Sequence, residues 1–148
     1  MKATIIGTGS YIPEYILTNQ ELSTMVETDD EWIVTRTGIS ERRIQKSGDV
    51  ADMAVNAALK ALDNAGINSE DIDLIIAATS TPDYLFPNCS SIIQKNTGAI
   101  NAVCFDISAA CSGFIMALSA AKAYIEAGMY KKVLIVCSEK MSGITDWK

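Results

Sequence analysis

Short runs of β-branched and apolar residues alternate along the chain with longer stretches whose apolar positions recur at helical spacing. Thr4–Gly9, Asp73–Thr79, Ala102–Ile107 and Lys132–Cys137 read as strands. The last three lack polar alternation, which predicts strands covered on both faces. Between them lie helical patterns. Thr18 or Asn19 offers an N-cap with Glu21 close behind, and Leu22, Met25 and Val26 supply the apolar spacing of a short helix. Thr28-Asp29-Asp30-Glu31 opens a second helix with its acids in the first turn, where the helix dipole favours them. Asp49 or Asp52 caps a third that runs through Ala65, with Ala54, Ala57, Ala58, Ala61 and Leu62 on one face and Gly66 as its C-cap. Pro82 and Pro87 bracket a loop, and Ser90–Thr97 reads as helix. Such alternation predicts an α/β fold with a largely parallel or mixed sheet.

The stretch Ala109–Ala127 carries no charge apart from Lys122 and Glu126 and is dominated by Ala, Ser and Gly. A helix apolar nearly all round is predicted to be buried nearly all round. Ser138–Lys148 is polar and turn-like, so the chain closes on a loop rather than on a terminal helix.

Composition narrows the class. The 148 residues are 49% hydrophobic and 20% charged, the profile of one ordinary globular domain large enough to need no disulfide or metal staple. The net charge of −6 is spread evenly, with 5 basic and 8 acidic residues in 1–50, which argues against a nucleic-acid footprint. No apolar run approaches the ~18 residues of a membrane span. The N-terminal run is broken by Gly and Ser and lacks a signal-peptide h-region, so a cytoplasmic location is expected.

The chain contains no histidine, and none of its four cysteines forms a CxxC pair. His-containing zinc sites, a Ser-His-Asp triad and a Cys-His dyad are excluded within this polypeptide, and no metal site is expected. Gly7-Thr8-Gly9-Ser10-Tyr11-Ile12 follows a predicted strand, but Ile12 and Pro13 stand where a dinucleotide-binding helix begins, so a tight turn is the expected role of its glycines.

Cys111 is the candidate nucleophile. It lies at the boundary of the strand Ala102–Ile107 and the apolar helix, in Ala109-Ala110-Cys111-Ser112-Gly113-Phe114. A helix N-terminus favours a thiolate, and its unpaired N–H groups stabilise an oxyanion on a thioester. The alternative is a buried structural cysteine. Trp32 and Arg36 are spaced i to i+4, which suits a planar base and a phosphate; the alternative is a core Trp and an Arg ion-paired to Glu31 or Asp30.

Three segments, Gly7-Thr8-Gly9-Ser10-Tyr11-Ile12-Pro13, Asp30-Glu31-Trp32-Ile33-Val34-Thr35-Arg36-Thr37-Gly38-Ile39-Ser40-Glu41-Arg42 and Ala109-Ala110-Cys111-Ser112-Gly113-Phe114, resemble the β-ketoacyl-acyl-carrier-protein synthase III family. The resemblance covers essentially the whole chain in order. It implies a thiolase-like α/β fold, here as residues 1–148 forming the N-terminal half, with a mixed five-stranded sheet incomplete at its C-terminal end and the C-terminal half absent. It implies that Cys111 accepts an acyl group, that Trp32 and Arg36 stack on the adenine of coenzyme A with Thr28 hydrogen-bonding nearby, and that Phe86 reaches across a homodimer to line the partner's acyl pocket. The implied reaction condenses a short acyl-CoA with malonyl-acyl carrier protein to start fatty-acid synthesis. Coenzyme A enters as a substrate thioester, with no cofactor, nucleic acid or membrane involved. The family's condensing histidine and asparagine belong to the other half. Alternatives are a hydroxymethylglutaryl-CoA or polyketide starter synthase, and a non-catalytic fragment that binds coenzyme A or pairs with a synthase subunit.

Overall fold

The computed structural model describes residues 2–147; Lys148 of the predicted polar tail lies outside them. In chain order the elements are β1 (Tyr15–Thr18), α1 (Asn19–Leu22), α2 (Asp30–Thr37), β2 (Glu41–Ile44), α3 (Val50–Ala65), β3 (Leu74–Ala78), α4 (Cys89–Thr97), β4 (Val103–Ile107), α5 (Gly113–Glu126) and β5 (Val133–Cys137). Single 3-10 turns stand at Ser69–Asp71, Ala110–Ser112 and Met141–Gly143. Where composition alone favours one domain, the described chain divides into two units, residues 2–11 with 49–139, and residues 12–48 with 140–147.

In the first unit β3 pairs in parallel with β4 on one side and β5 on the other. All five residues of β3 are buried. Side chains of a strand alternate between faces, and the two faces build separate cores. Ile75 and Ala77 join Leu134 and Val136 against Ala54, Ala58 and Leu62 of α3 and Ile93 of α4. Leu74 and Ile76 pack with Ala117 and Ala121 of α5, beside Phe105, Tyr124 and Tyr130. Tyr124 meets Phe105 and Tyr130 edge-on, at ring separations of 6.4 and 5.6 Å.

Two helix starts, one strand start and one loop are held by sequence-distant carboxylates. Asp83 accepts from Val50 N and Ala51 N at the head of α3. Asp106 accepts from Cys89 N and Ser90 N at the head of α4. Asp73 takes Lys131 N and Lys132 N ahead of β5, and these bonds hold its carboxyl below the usual carboxylate range. Glu139 takes Ser80 N. Each acid fills donors that a helix or loop start leaves orphaned.

The second unit is an antiparallel ribbon, β1 against β2 with Tyr15 opposite Ile44 and Thr18 opposite Glu41, carrying α1 and α2. Buried Asn19 ties it together: its amide donates to Asp30 Oδ1 and Ile39 O, both at 2.8 Å. Thr18 caps α1 and Asp29 caps α2 by accepting from Glu21 N and Trp32 N.

The described fold corrects five expectations. Thr4–Gly9 is not a strand: it has no sheet partner, and Ile5 and Ile6 stand exposed. Its glycines serve a close approach rather than a turn. Neither has positive φ, but a Cβ on Gly7 would lie 2.6 Å from Ala65 Cβ, and one on Gly9 would lie 2.3 Å from Ala61 N. The five strands do not form one sheet; three are parallel and two form the ribbon. Nor is α5 buried nearly all round: only Gly113, Ala117 and Ala121 are, and Phe114, Ile115 and Met116 stand about half exposed. The edge strands β4 and β5 are likewise only partly covered. Between residues 3–9 and β5 lies an apolar groove of about 570 Å³, walled by Ala61 of α3 and by Leu118 and Ile125 of α5. No helix among the described residues is long and apolar enough to cross a membrane.

Replacing Gly9 by Ala forces a methyl into the backbone of α3 and is expected to destabilise the chain by ~1–3 kcal/mol in urea denaturation. The groove and the bare face of α5 are expected to make the purified chain bind a hydrophobic dye and run above monomer mass in light scattering, because exposed apolar patches of this kind drive association.

Candidate active site

The C-terminal ends of the three parallel strands are laced together. Thr79 N donates to Ile107 O at 3.1 Å, and Ser138 N to Ala78 O at 3.2 Å. From β4 the chain passes through the 3-10 turn Ala110–Ser112 directly into α5. Ala110 has φ +44°, a left-handed conformation that costs a residue with a Cβ of order 1–3 kcal/mol. Its N–H donates to Ser80 Oγ at 3.1 Å. Beyond the turn Gly113 sits over the end of β3: a Cβ there would stand 3.1 Å from Ala78 Cβ, so a small residue lets α5 start at this point.

Cys111 occupies the middle of this turn and is exposed. The expectation of a thiol at a helix start is met, and the structural alternative of a buried cysteine is not. No acid stands in the first turn of α5, and no side chain caps it.

Cys89 makes the contrast. It too begins a helix, but the Asp106 carboxylate occupies the N–H groups of α4 there. Burial, with the charges of Asp106 and Asp83, pushes its thiol up to about 12. Burial likewise raises Cys104, helped by Asp106, and Cys137, helped by Glu139. Cys137 reaches the surface, yet enough of its thiol is enclosed for burial to be the leading cause.

In the second unit Trp32 and Arg36 do come together. The guanidinium carbon lies 4.4 Å from the indole centroid, and Nη1 donates to Trp32 O at 3.3 Å. Trp32 is 52% exposed, so it is no core residue, and the ion pairs among the described residues do not include Arg36. Thr28, one residue before the cap of α2, has a buried hydroxyl with no hydrogen-bond partner among the described residues. A stacked indole and guanidinium with an unused hydroxyl nearby in sequence suit a flat base carrying phosphate.

Phe86 belongs to the first unit. The loop that carries it is anchored by Asp83 on α3 and presents Leu85 and Phe86 almost wholly to solvent, at 96% and 91% exposure. Ser80 and Glu139 escaped the sequence reading, because a serine in a loop and an acid after a strand carry no local signal. Among the described residues there is no cluster of three or more His, Cys, Asp or Glu side chains that could hold a metal ion.

The chain is similar to known proteins along its length. The profile of the family described as 3-Oxoacyl-[acyl-carrier-protein (ACP)] synthase III matches residues 105–148. A β-ketoacyl-[acyl-carrier-protein] synthase III of Caldanaerobacter subterraneus subsp. tengcongensis is 53% identical over 147 residues, 99% of this chain and 44% of that protein. The synthase III of Geobacillus kaustophilus is 51% identical, over 99% of this chain and 48% of its own length. Among solved structures, 3-oxoacyl-[acyl-carrier-protein] synthase III from Aquifex aeolicus VF5 superposes with TM-score 0.95 at 49% identity, over 97% of this chain and 47% of that one. The priming β-ketosynthase from the R1128 polyketide pathway superposes with TM-score 0.93 at 40% identity, over 97% and 43%. The chain thus spans about half the length of the relatives it matches.

Iodoacetamide at neutral pH is expected to label Cys111 ahead of the other three cysteines, read by peptide mass spectrometry. Cys89, whose thiol ionises only near pH 12, should stay unlabelled until the pH approaches that value or the chain unfolds. Faster labelling of Cys89 or Cys137 in the folded chain contradicts the assignment.

Proposed function

We infer that the chain belongs to the β-ketoacyl-[acyl-carrier-protein] synthase III family, over the half of those proteins that it spans. It is the acyl-accepting, N-terminal half of a thiolase-fold condensing enzyme that starts fatty-acid synthesis. The observation that carries this reading is an exposed cysteine on a strained turn at the uncapped start of an apolar helix.

The Cys111 sulfur attacks the carbonyl of a short acyl-CoA. Backbone N–H groups at the head of α5 stabilise the tetrahedral oxyanion, coenzyme A leaves as its thiol, and an acyl-cysteine remains. Trp32 and Arg36 hold the nucleotide end of coenzyme A, and the free Thr28 hydroxyl supplies a further hydrogen bond. In the second half-reaction malonyl-acyl carrier protein loses carbon dioxide and its carbanion attacks the acyl carbonyl, returning the cysteine. That step calls on a histidine and an asparagine of the other half, and the 148 residues contain no histidine. Phe86, on its exposed loop, lines the acyl pocket of a second subunit in a homodimer. The match to a priming β-ketosynthase supports a second reading, a polyketide starter synthase, which differs in the acyl group it selects.

Incubation with acetyl-CoA is expected to add one acetyl group to the peptide bearing Cys111, and Cys111→Ala is expected to abolish it. Arg36→Ala should weaken coenzyme A binding by ~1–3 kcal/mol in calorimetry, the value of a charge-assisted contact. The chain alone should release no carbon dioxide from malonyl-acyl carrier protein. Acetylation at another residue, or an unchanged dissociation constant for Arg36→Ala, contradicts the respective assignment.

A further inference from the structure

We propose that Ser80 and Glu139 are positioning residues for Cys111, a relay that holds the turn carrying the thiol in its strained shape. The proposal rests on the reading of Cys111 as the acyl acceptor and adds the two side chains that set its place.

The three segments involved leave the sheet side by side. Thr79–Thr81 follows β3, Ser138–Glu139 follows β5, and the turn Ala110–Ser112 follows β4. The Glu139 carboxylate grips the first of these with both oxygens. Oε1 accepts from Ser80 N at 2.7 Å, and Oε2 accepts from the Thr81 hydroxyl at 2.6 Å. Thr79 Oγ1 accepts from Thr81 N at 3.2 Å, which tightens the same turn. So fixed, Ser80 turns its hydroxyl oxygen to Ala110 N, 3.1 Å away.

Ala110 is the non-glycine residue with positive φ among the described residues, and it immediately precedes Cys111. A Cβ-bearing residue holds such a conformation only where its surroundings over-determine it. Two kinds of attachment flank the turn: local bonds from Ser112 N and Oγ to Ala109 O and from Gly113 N to Ala110 O, and the Ala110 N–H taken by Ser80 from the neighbouring strand's loop. The first is local and tolerates movement of the whole turn. The second is the one that references it to the sheet. Charge on Glu139 strengthens its two bonds relative to neutral ones, so the anchor is stiff at the end remote from the thiol.

The test compares Ser80→Ala, Ser80→Thr and Glu139→Gln in the 148-residue chain with the unsubstituted protein. Three quantities are read: the alkylation rate of Cys111 relative to that of the same thiol in the urea-unfolded chain, the rate of acetyl transfer from acetyl-CoA, and the affinity for coenzyme A. Ser80→Ala is expected to bring the folded-to-unfolded alkylation ratio to about one and to slow acetyl transfer about tenfold to a hundredfold, the scale of a misplaced reacting group. Ser80→Thr keeps the acceptor oxygen and should restore both within about threefold. Glu139→Gln should fall between. Coenzyme A affinity should not change, which separates positioning from general loss of structure.

Equal alkylation ratios in Ser80→Ala, Ser80→Thr and the unsubstituted chain overturn the relay. So does a loss in Ser80→Ala that Ser80→Thr fails to repair. Should Ser80→Ala fold poorly, Glu139→Gln read against Ser80→Thr decides alone, since an unchanged ratio there also overturns it. Absence of acetyl transfer in the unsubstituted chain defeats the acyl-acceptor reading instead, and the alkylation ratios still judge the relay.

Discussion

Every pairing of the parallel sheet passes through Leu74–Ala78. β4 and β5 do not pair with each other; within the sheet each pairs only with this strand, and both apolar cores begin on its two faces. Burying a Leu or Ile side chain contributes roughly 1.5–3 kcal/mol, and three such residues are wholly enclosed here. The strand therefore fixes the height at which β4 and β5 end. The turn after β4, which carries Cys111, and the loops that meet it inherit their level from that register.

Acidic side chains finish what the strands begin. Asp73, Asp83, Asp106 and Glu139 each satisfy backbone N–H groups of segments far away in sequence. Much of the surplus negative charge is thus structural, spent on helix and loop starts. The head of α5 is treated differently, with neither an acid in its first turn nor a capping side chain. That distinction separates Cys89 from Cys111 more sharply than exposure alone.

Local chemistry was legible wherever a local cause sufficed. Asp49 to Gly66 delimits α3 because caps and a run of alanines at helical spacing need no distant partner, and Trp32 with Arg36 meets across one helical turn for the same reason. What the sequence hid depends on partners. Thr4–Gly9 has the composition of a strand, yet ladder bonds require a neighbour, and none of the described residues supplies one. The ribbon of Tyr15–Thr18 and Glu41–Ile44 escaped notice since its strands are four residues long and one is mostly charged. The exposed face of α5 shows an apolar sequence outrunning the cover available, and the Ser80 contact with Ala110 spans thirty positions.

The approach of residues 7 and 9 to α3 bears on how this sequence can vary. Gly7 and Gly9 face Ala57, Ala61 and Ala65 at a separation that leaves no room for one more carbon on the glycine side. The contacts fall on helix backbone at Ala57 and Ala61 and on the Ala65 Cβ, so a side chain at either glycine would have to push the segment off the helix. Positions 7 and 9 are therefore expected to stay glycine over evolutionary time unless that spacing opens.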